Sequence, residues 1–325
     1  RHARFLLERD DVHVSVVETC PERVEAVLGE LGQLPRFNSF EEMLAASPHI
    51  VWIATPTSFH ATQAIAALDA RAHVFCEKPV SDSREDALRV KRAAERSGKV
   101  FNVGYMLHFS PGLLALRKVI QQGELGRILH AHVRMGSYLT LQNAVSRYQA
   151  HEDGSLFFDY SHQPDVFYWL FGEVPTSVRV TGIQAGKVEC SSNPNVAVVT
   201  CEYASPMIAT MHLDYVALPQ RHEYEIIGDQ GWAALSLSDG TMVVGRRDNA
   251  EVRRESLPVA MEGVYRAEHR AFFEAVDGLR LPESPAADAL VATAICEAAV
   301  ESWKTGKPVA VARGRPTTGV TRARQ

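Results

Sequence analysis

The alternation of short apolar runs with helical segments over the first hundred residues constrains this chain most. Ile50–Ala54 (IVWIA) is a continuous apolar run stopped by Thr55-Pro56, as expected of a parallel strand covered on both faces. Before it, Val12–Glu18 (VHVSVVE) reads as a buried strand, and Pro21–Leu31 as a helix opened by Thr19 or Cys20 with proline at its start. Phe59–Ala70 is an alanine-rich helix, His73–Cys76 a short strand, and Ser83–Ser97 a charged helix ended by Gly98; Val100–Gly104 is strand again. Strand–helix–strand units with short links predict a parallel, doubly wound α/β sheet.

After about residue 105 the pattern changes. Helices are expected at Leu113–Gln122 and Asp165–Phe171. The strands expected are Ile128–Tyr138, Ser177–Ala185, Val196–Tyr203, Met207–Tyr215, Glu223–Ile227, Trp232–Leu237 and Thr241–Gly245. Their polar–apolar alternation, with glycines at 228, 231 and 240, predicts a large, mainly antiparallel sheet covered on one face. Helices Arg266–Gly278 and Ala286–Lys304 and a short strand Pro308–Ala312 follow. The division is therefore 1–105, then an α+β domain over 106–312, then a flexible tail over 313–325. A length of 325 residues, 46% of them hydrophobic, suits two such domains. The formal net charge of −5 argues against a broad nucleic-acid surface. Five cysteines without a C-x-x-C pair argue against a disulfide framework or zinc site and fit a reducing cytoplasm. No metal site is expected, and no apolar run approaches the length of a membrane span.

Three segments carry the chemistry. Glu77-Lys78-Pro79 directly follows the strand His73–Cys76, and open parallel sheets bind ligands at the carboxyl ends of their strands. A lysine delivered there can hydrogen-bond a substrate hydroxyl, although a surface lysine in a proline turn is the plainer alternative. The segment Ala54-Thr55-Pro56 through His60 also ends a strand, and it leads into a helix whose N-terminus can face a nucleotide. Farther on, Asp159 and His162, then His162 and Asp165, are spaced by three, which one helical turn would place on a common face. A carboxylate beside an imidazole orients the ring and supports its protonated form. The same trio could serve as metal ligands or as plain helix caps.

In order along the chain, IATPTSFH, ALDARAHVFCEKP, GYMLHFSPGLLALRKVIQQGELGRI, DYSHQPDVFYWLFGE and AAVESWKTGKPV resemble the glucose–fructose oxidoreductase/inositol dehydrogenase (Gfo/Idh/MocA) family. The resemblance runs through residues 1 to about 312. It implies a Rossmann-type dinucleotide-binding domain over 1–105 and a substrate-binding and oligomerisation domain over 106–312. It also implies an NAD(P)-dependent dehydrogenase acting on a secondary alcohol of a sugar, sugar derivative or cyclitol. By the same resemblance Lys78 is the catalytic lysine, His162 the catalytic acid–base, and Lys78–Pro79 a candidate cis peptide. Asp159 joins them in a less secure role, because the family often places its aspartate four residues before the histidine, where Phe158 stands. Gln163 replaces a frequent glutamate, removing a charge near the substrate, and His108 replaces the arginine of an R-F-x-P pattern. Tyr105, His108 and Tyr148 are further substrate-contact candidates.

The Gly-rich G-x-G-x-x-G turn of a dinucleotide site is absent. Glu18 closes a strand at the place where a ribose-binding carboxylate belongs, which favours NAD over NADP and puts the glycines immediately before Arg1. The expectation is an N-terminally truncated domain with a strand-wide gap between Val12–Glu18 and Ile50–Ala54. Cofactor contacts are expected from Glu18, Ala54, Thr55, Pro56, His60, Glu77 and Lys78. The outer sheet face suits a homodimer or homotetramer. The alternative in a different class is a non-catalytic nucleotide-sensing regulator on the same fold.

Overall fold

The computed structural model describes all residues except 21–22, 26–28, 30–31, 33, 144–151, 187–191, 249–251 and 313–325. The helix expected at Pro21–Leu31, the contact candidate Tyr148 and the tail thus lie largely or wholly outside the described residues. Helix α1 (His2–Leu7) leads to β1 (Val16–Val17), which pairs in parallel with β2 (Arg36–Phe37). Helix α2 (Phe40–Ala45) follows, then β3 (Ile50–Ile53), α3 (Thr57–Asp69), β4 (His73–Cys76), α4 (Arg84–Ser97) and β5 (Phe101–Val103). Strands β3, β4 and β5 form a second parallel sheet in that order, with Ile53 opposite Cys76 at its carboxyl edge. β1 and β3 belong to separate sheets and do not pair. The seven-residue strand expected at Val12–Glu18 is reduced to two residues, matching the length of its partner β2.

Local signals set the helix ends. The Ser83 side chain accepts a hydrogen bond from Asp86 N–H at the start of α4, and Gly98, with φ of 63°, ends it in the left-handed region. Helix α3 begins at Thr57, two residues before the expected start, because Pro56 stands just ahead of its first turn.

Beyond β5 a short 3-10 turn (Met106–Phe109) precedes α5 (Pro111–Gln121) and β6 (Ile128–Gly136). Helices α6 (Leu139–Asn143), α7 (Ser155–Asp159) and α8 (His162–Phe171) come next. The remaining strands are β7 (Ser177–Ile183), β8 (Val196–Glu202), β9 (Ile208–Asp214), β10 (Arg221–Gly228), β11 (Gly231–Ser236), β12 (Thr241–Arg246) and β13 (Val252–Ser256). Helices α9 (Met261–Val276) and α10 (Ala286–Thr305) and strand β14 (Val309–Ala310) close the described chain. Among the described residues the sheet has nine strands in the order β13-β12-β11-β10-β6-β9-β8-β7-β14, antiparallel throughout except for the parallel pair β6–β9. Strict alternation of buried and accessible residues along β8, β10 and β11 shows one covered face and one open face.

Helix α10 joins the two cores. Its first turns place Ala286, Ala289, Leu290 and Ala292 against β3–β5 and their helices, while Ala294, Ile295, Cys296 and Ala298 pack under the large sheet. Alanine at so many of these positions lets the backbones approach closely. Two hydrogen bonds pin the same junction: Val103 N–H to the Ser284 carbonyl at 2.9 Å, and Ser284 N–H to Asn102 Oδ1 at 2.9 Å.

Gly228 ends β10 at a register shift, and a Cβ there would stand 1.9 Å from the Leu125 carbonyl oxygen. That contact is with backbone, which cannot swing away. Gly228→Ala is therefore expected to destabilise the fold by roughly 1–3 kcal/mol, read as a lowered urea midpoint at unchanged slope.

Candidate active site

The carboxyl ends of β3 and β4 deliver the first half of the site. Glu77 N–H still bonds the Ile53 carbonyl at 2.8 Å, one residue past the last ladder pair, and the Lys78–Pro79 peptide is cis. From this turn Lys78 reaches across to the second domain, where its Nζ donates to the Asp159 carbonyl oxygen at 2.9 Å. The carboxylate of Asp159 points the other way, into the core, where Oδ2 accepts the Tyr215 hydroxyl at 2.9 Å. Asp159 is buried and Tyr215 fully so.

Asp159 and His162 do not share a helical face. Helix α7 ends at Asp159 and α8 begins at His162, with Tyr160 and Ser161 forming the break. The expected carboxylate support for a protonated His162 is therefore missing, and the ring sits in a setting that disfavours its charge. Burial, followed by the nearby Lys78 ammonium and the rings of His222 and His108, holds His162 well below the usual imidazole range. Its Nδ1 is buried without a hydrogen-bond partner among the described residues, and the buried Tyr105 hydroxyl and Ser161 side chain interact beside it. Tyr105 meets the His162 ring edge-on at 5.6 Å between centroids.

Two departures from the family pattern turn inward. Gln163 is 1% exposed; its Oε1 accepts the Tyr224 hydroxyl at 2.6 Å, and that hydroxyl lies 3.0 Å from His222 Nε2. Gln163 Nε2 also lies 3.4 Å from His222 Nε2, and burial lowers the His222 ring to about 4. His108 is enclosed as well. It stacks on Trp169 at 4.7 Å, its Nδ1 lies 3.1 Å from Ser284 Oγ, and its Nε2 is 2.7 Å from Asp165 Oδ2, off the line of a good hydrogen bond. Burial raises the Asp165 carboxyl, and His108 opposes that shift. Tyr105 and His108 thus present almost no surface to a ligand, and both support the wall behind His162.

The expected cofactor contacts separate in the same way. Ala54, Thr55 and Pro56 are exposed at the end of β3, ahead of a thirteen-residue helix whose first N–H groups have no side-chain cap. That edge suits the phosphates of a dinucleotide. Glu18 is half-buried just past β1, and one of its oxygens accepts Cys20 N–H at 2.9 Å. Glu77 instead turns away. Its Oε1 pairs with His2 Nε2 at 2.7 Å and its Oε2 accepts Lys78 N–H at 3.0 Å. Burial works against its charge, but His2 and Lys78 outweigh that and leave the carboxyl below its ordinary value. His60 is buried and faces two backbone carbonyls rather than the open edge. Sequence reasoning missed Tyr215, Tyr224 and His222, which are separated from the site in sequence and carry no motif. Among the described residues no cluster could hold a metal ion, and no helix is long and apolar enough to cross a membrane.

This architecture has known relatives. Residues 1–105 match the family model described as an oxidoreductase family NAD-binding Rossmann fold, and residues 117–311 match the C-terminal alpha/beta domain of the same family. The chain is 26% identical over 249 residues to 2,7-anhydro-N-acetylneuraminate hydratase of Escherichia coli, covering 75% of this chain and 66% of that protein, just under two thirds. It is 28% identical over 332 residues to inositol 2-dehydrogenase of Acidothermus cellulolyticus, covering 96% and 92%. The structure of scyllo-inositol dehydrogenase from Lactobacillus casei, with NAD(H) and scyllo-inositol bound, superimposes with a TM-score of 0.78 at 22% identity, covering 91% and 90%. Two matched domains accounting for nearly the whole described chain settle its kinship: it belongs to the Gfo/Idh/MocA oxidoreductase family.

Proposed function

We propose that this protein transfers a hydride between nicotinamide and a secondary alcohol of a sugar, sugar derivative or cyclitol. The observation that carries this reading is the meeting of Lys78 with the His162 segment across the two domains, with an uncapped helix edge beside it. Bound nicotinamide supplies the hydride acceptor. The residues of this chain manage the oxygen and its proton. His162, neutral at physiological pH, takes the proton from the alcohol. Lys78 donates a hydrogen bond to the same oxygen and stabilises the negative charge that develops there. Asp159 directs the lysine through its main-chain carbonyl, while Tyr215 holds its carboxylate in the core. The Ala54-Thr55-Pro56 edge and Glu18 receive the dinucleotide, and a carboxylate at Glu18 repels a 2′-phosphate, favouring NAD. The open sheet face, with Ile183, Val198 and Ile208 exposed on it, takes a second copy of the chain.

A second reading is favoured by two relatives whose name is that of a hydratase. Addition of water has no net redox change, so a nicotinamide serving such a reaction would be oxidised and reduced within one cycle. Screening polyols, aldoses, uronates and anhydro sugars separates the two: net NADH formation supports the dehydrogenase, and turnover without it supports the second reading.

Lys78→Met is expected to lower turnover by about 100-fold or more while NAD affinity, measured by fluorescence titration, changes little. Near-normal turnover would remove Lys78 from the mechanism. Oxidation needs the unprotonated His162, and its pKa is shifted downward, so its acid limb falls below pH 6.5 and the neutral range stays flat. His162→Asn should abolish that limb together with most activity; a variant that keeps the limb would place the base elsewhere. The ratio of kcat/KM for NAD over NADP is expected to be at least about tenfold, since a carboxylate near a phosphate costs on the order of 1–2 kcal/mol. A preference for NADP would mean that Glu18 does not face the ribose.

A further inference from the structure

One buried ring holds both loops of the proposed site. His60, in the first turn of α3, is 1% exposed. Its Nδ1 lies 2.7 Å from the Pro79 carbonyl oxygen and its Nε2 2.7 Å from the Thr55 carbonyl oxygen. Carbonyls only accept and a neutral imidazole carries one N–H, so the ring donates to one of these carbonyls while packed against the other, and donates to both only when it holds both protons. Thr55 lies on the loop leaving β3, and Pro79 directly follows Lys78. The ladder between these strands ends with Ile53 opposite Cys76 and the bond from Glu77 N–H to the Ile53 carbonyl. Past that point no ladder pair joins the two described segments, and the His60 ring lies between the Thr55 and Pro79 carbonyls.

We propose that His60 is a positioning residue: by clamping the Thr55 loop to the Pro79 carbonyl it fixes the backbone from which Lys78 reaches the reacting oxygen. The inference rests on the reading of Lys78 given above. Lysine has four rotatable side-chain bonds, so its amine is placed only if both ends are held. The far end is held by the Asp159 carbonyl at 2.9 Å, and the near end by His60 one residue away. The same ring touches the loop expected to receive the dinucleotide, so the cofactor edge and the lysine share one anchor. His60 does not itself reach the open edge, because Ala54, Thr55 and Pro56 are exposed while it is buried beneath them.

The test compares His60→Phe, which fills the space without donors, with His60→Gln, whose amide can donate. Two readings are taken: steady-state constants, and the rate at which trinitrobenzenesulfonate labels the Lys78 amine, measured by mass spectrometry against Lys118 and Lys304. A misplacement near 1 Å is enough to cost about tenfold or more in turnover, so folded His60→Phe should lose at least that in kcat, and KM for NAD should rise with it because the freed Thr55 loop forms the cofactor edge. Lys78 should label faster in this variant while the reference lysines do not change, and His60→Gln should fall between it and the wild type. Folded His60→Phe with unaltered Lys78 labelling and kcat overturns the proposal. If the phenyl ring prevents folding, His60→Ala carries the same readings, and failure of both to fold makes His60 a folding residue, which also overturns it. Full activity in Lys78→Met would sink the reading of Lys78 alone, because the labelling rates still report whether His60 holds that side chain.

Discussion

The site depends on one hydrogen bond, from Lys78 Nζ to the Asp159 carbonyl. It joins the end of β4 to the end of α7, and so joins the domain matched as NAD-binding to the domain that carries His162. The carbonyl is available because α7 stops there. The last carbonyls of a helix have no partner within it, and the negative end of its dipole favours a cation. The break at Tyr160–Ser161 therefore does two things at once. It frees an acceptor for the lysine, and it lets α8 start afresh with His162 in its first turn. A continuous helix through this segment would have consumed the Asp159 carbonyl in its own ladder.

The break also decides the electrostatics. The Asp159 carboxylate accepts the Tyr215 hydroxyl, and burial and the Lys78 ammonium oppose a charge on His162. A cation beside a neutral imidazole is the arrangement that suits removal of a hydroxyl proton. The base is free to accept, and the positive charge stabilises the oxygen left behind. The buried, neutral His222 and the inward-facing Gln163 keep that local balance from being upset by a further charge.

Much of this was legible in the amino-acid order. The apolar runs at Ile50–Ala54 and His73–Cys76 became β3 and β4 almost residue for residue, because a strand covered on both faces leaves a continuous apolar signature. Glu77-Lys78-Pro79 stood at a strand end for the same reason. What failed depended on direction rather than on periodicity. The spacing of three between Asp159 and His162 suggested a shared face, yet the two-residue break between helices separates them. His60 sat in the right segment but faces inward, and the half-buried Glu77 is engaged by His2 and the Lys78 N–H. Tyr105 and His108 lie near the site but inside its wall. The strand expected at Val12–Glu18 is short because a strand extends only as far as its partner, and β2 offers two residues. A single sequence carries no record of which partner a side chain will meet.

Main-chain acceptors make a site of this kind tolerant of substitution around it. The lysine is held by the carbonyl of Asp159, and the loops around it by the carbonyls of Thr55 and Pro79. A carbonyl is present whatever side chain stands at its position, so drift at these positions leaves the acceptors in place as long as the backbone keeps its course. The demand for a particular side chain then falls on the donors, Lys78 and His60, and on the ring of His162. The aspartate's own position is freer, since its carboxylate serves the core through Tyr215 while its backbone serves the lysine. A frame built this way can change the walls that face a substrate without moving the lysine and the imidazole.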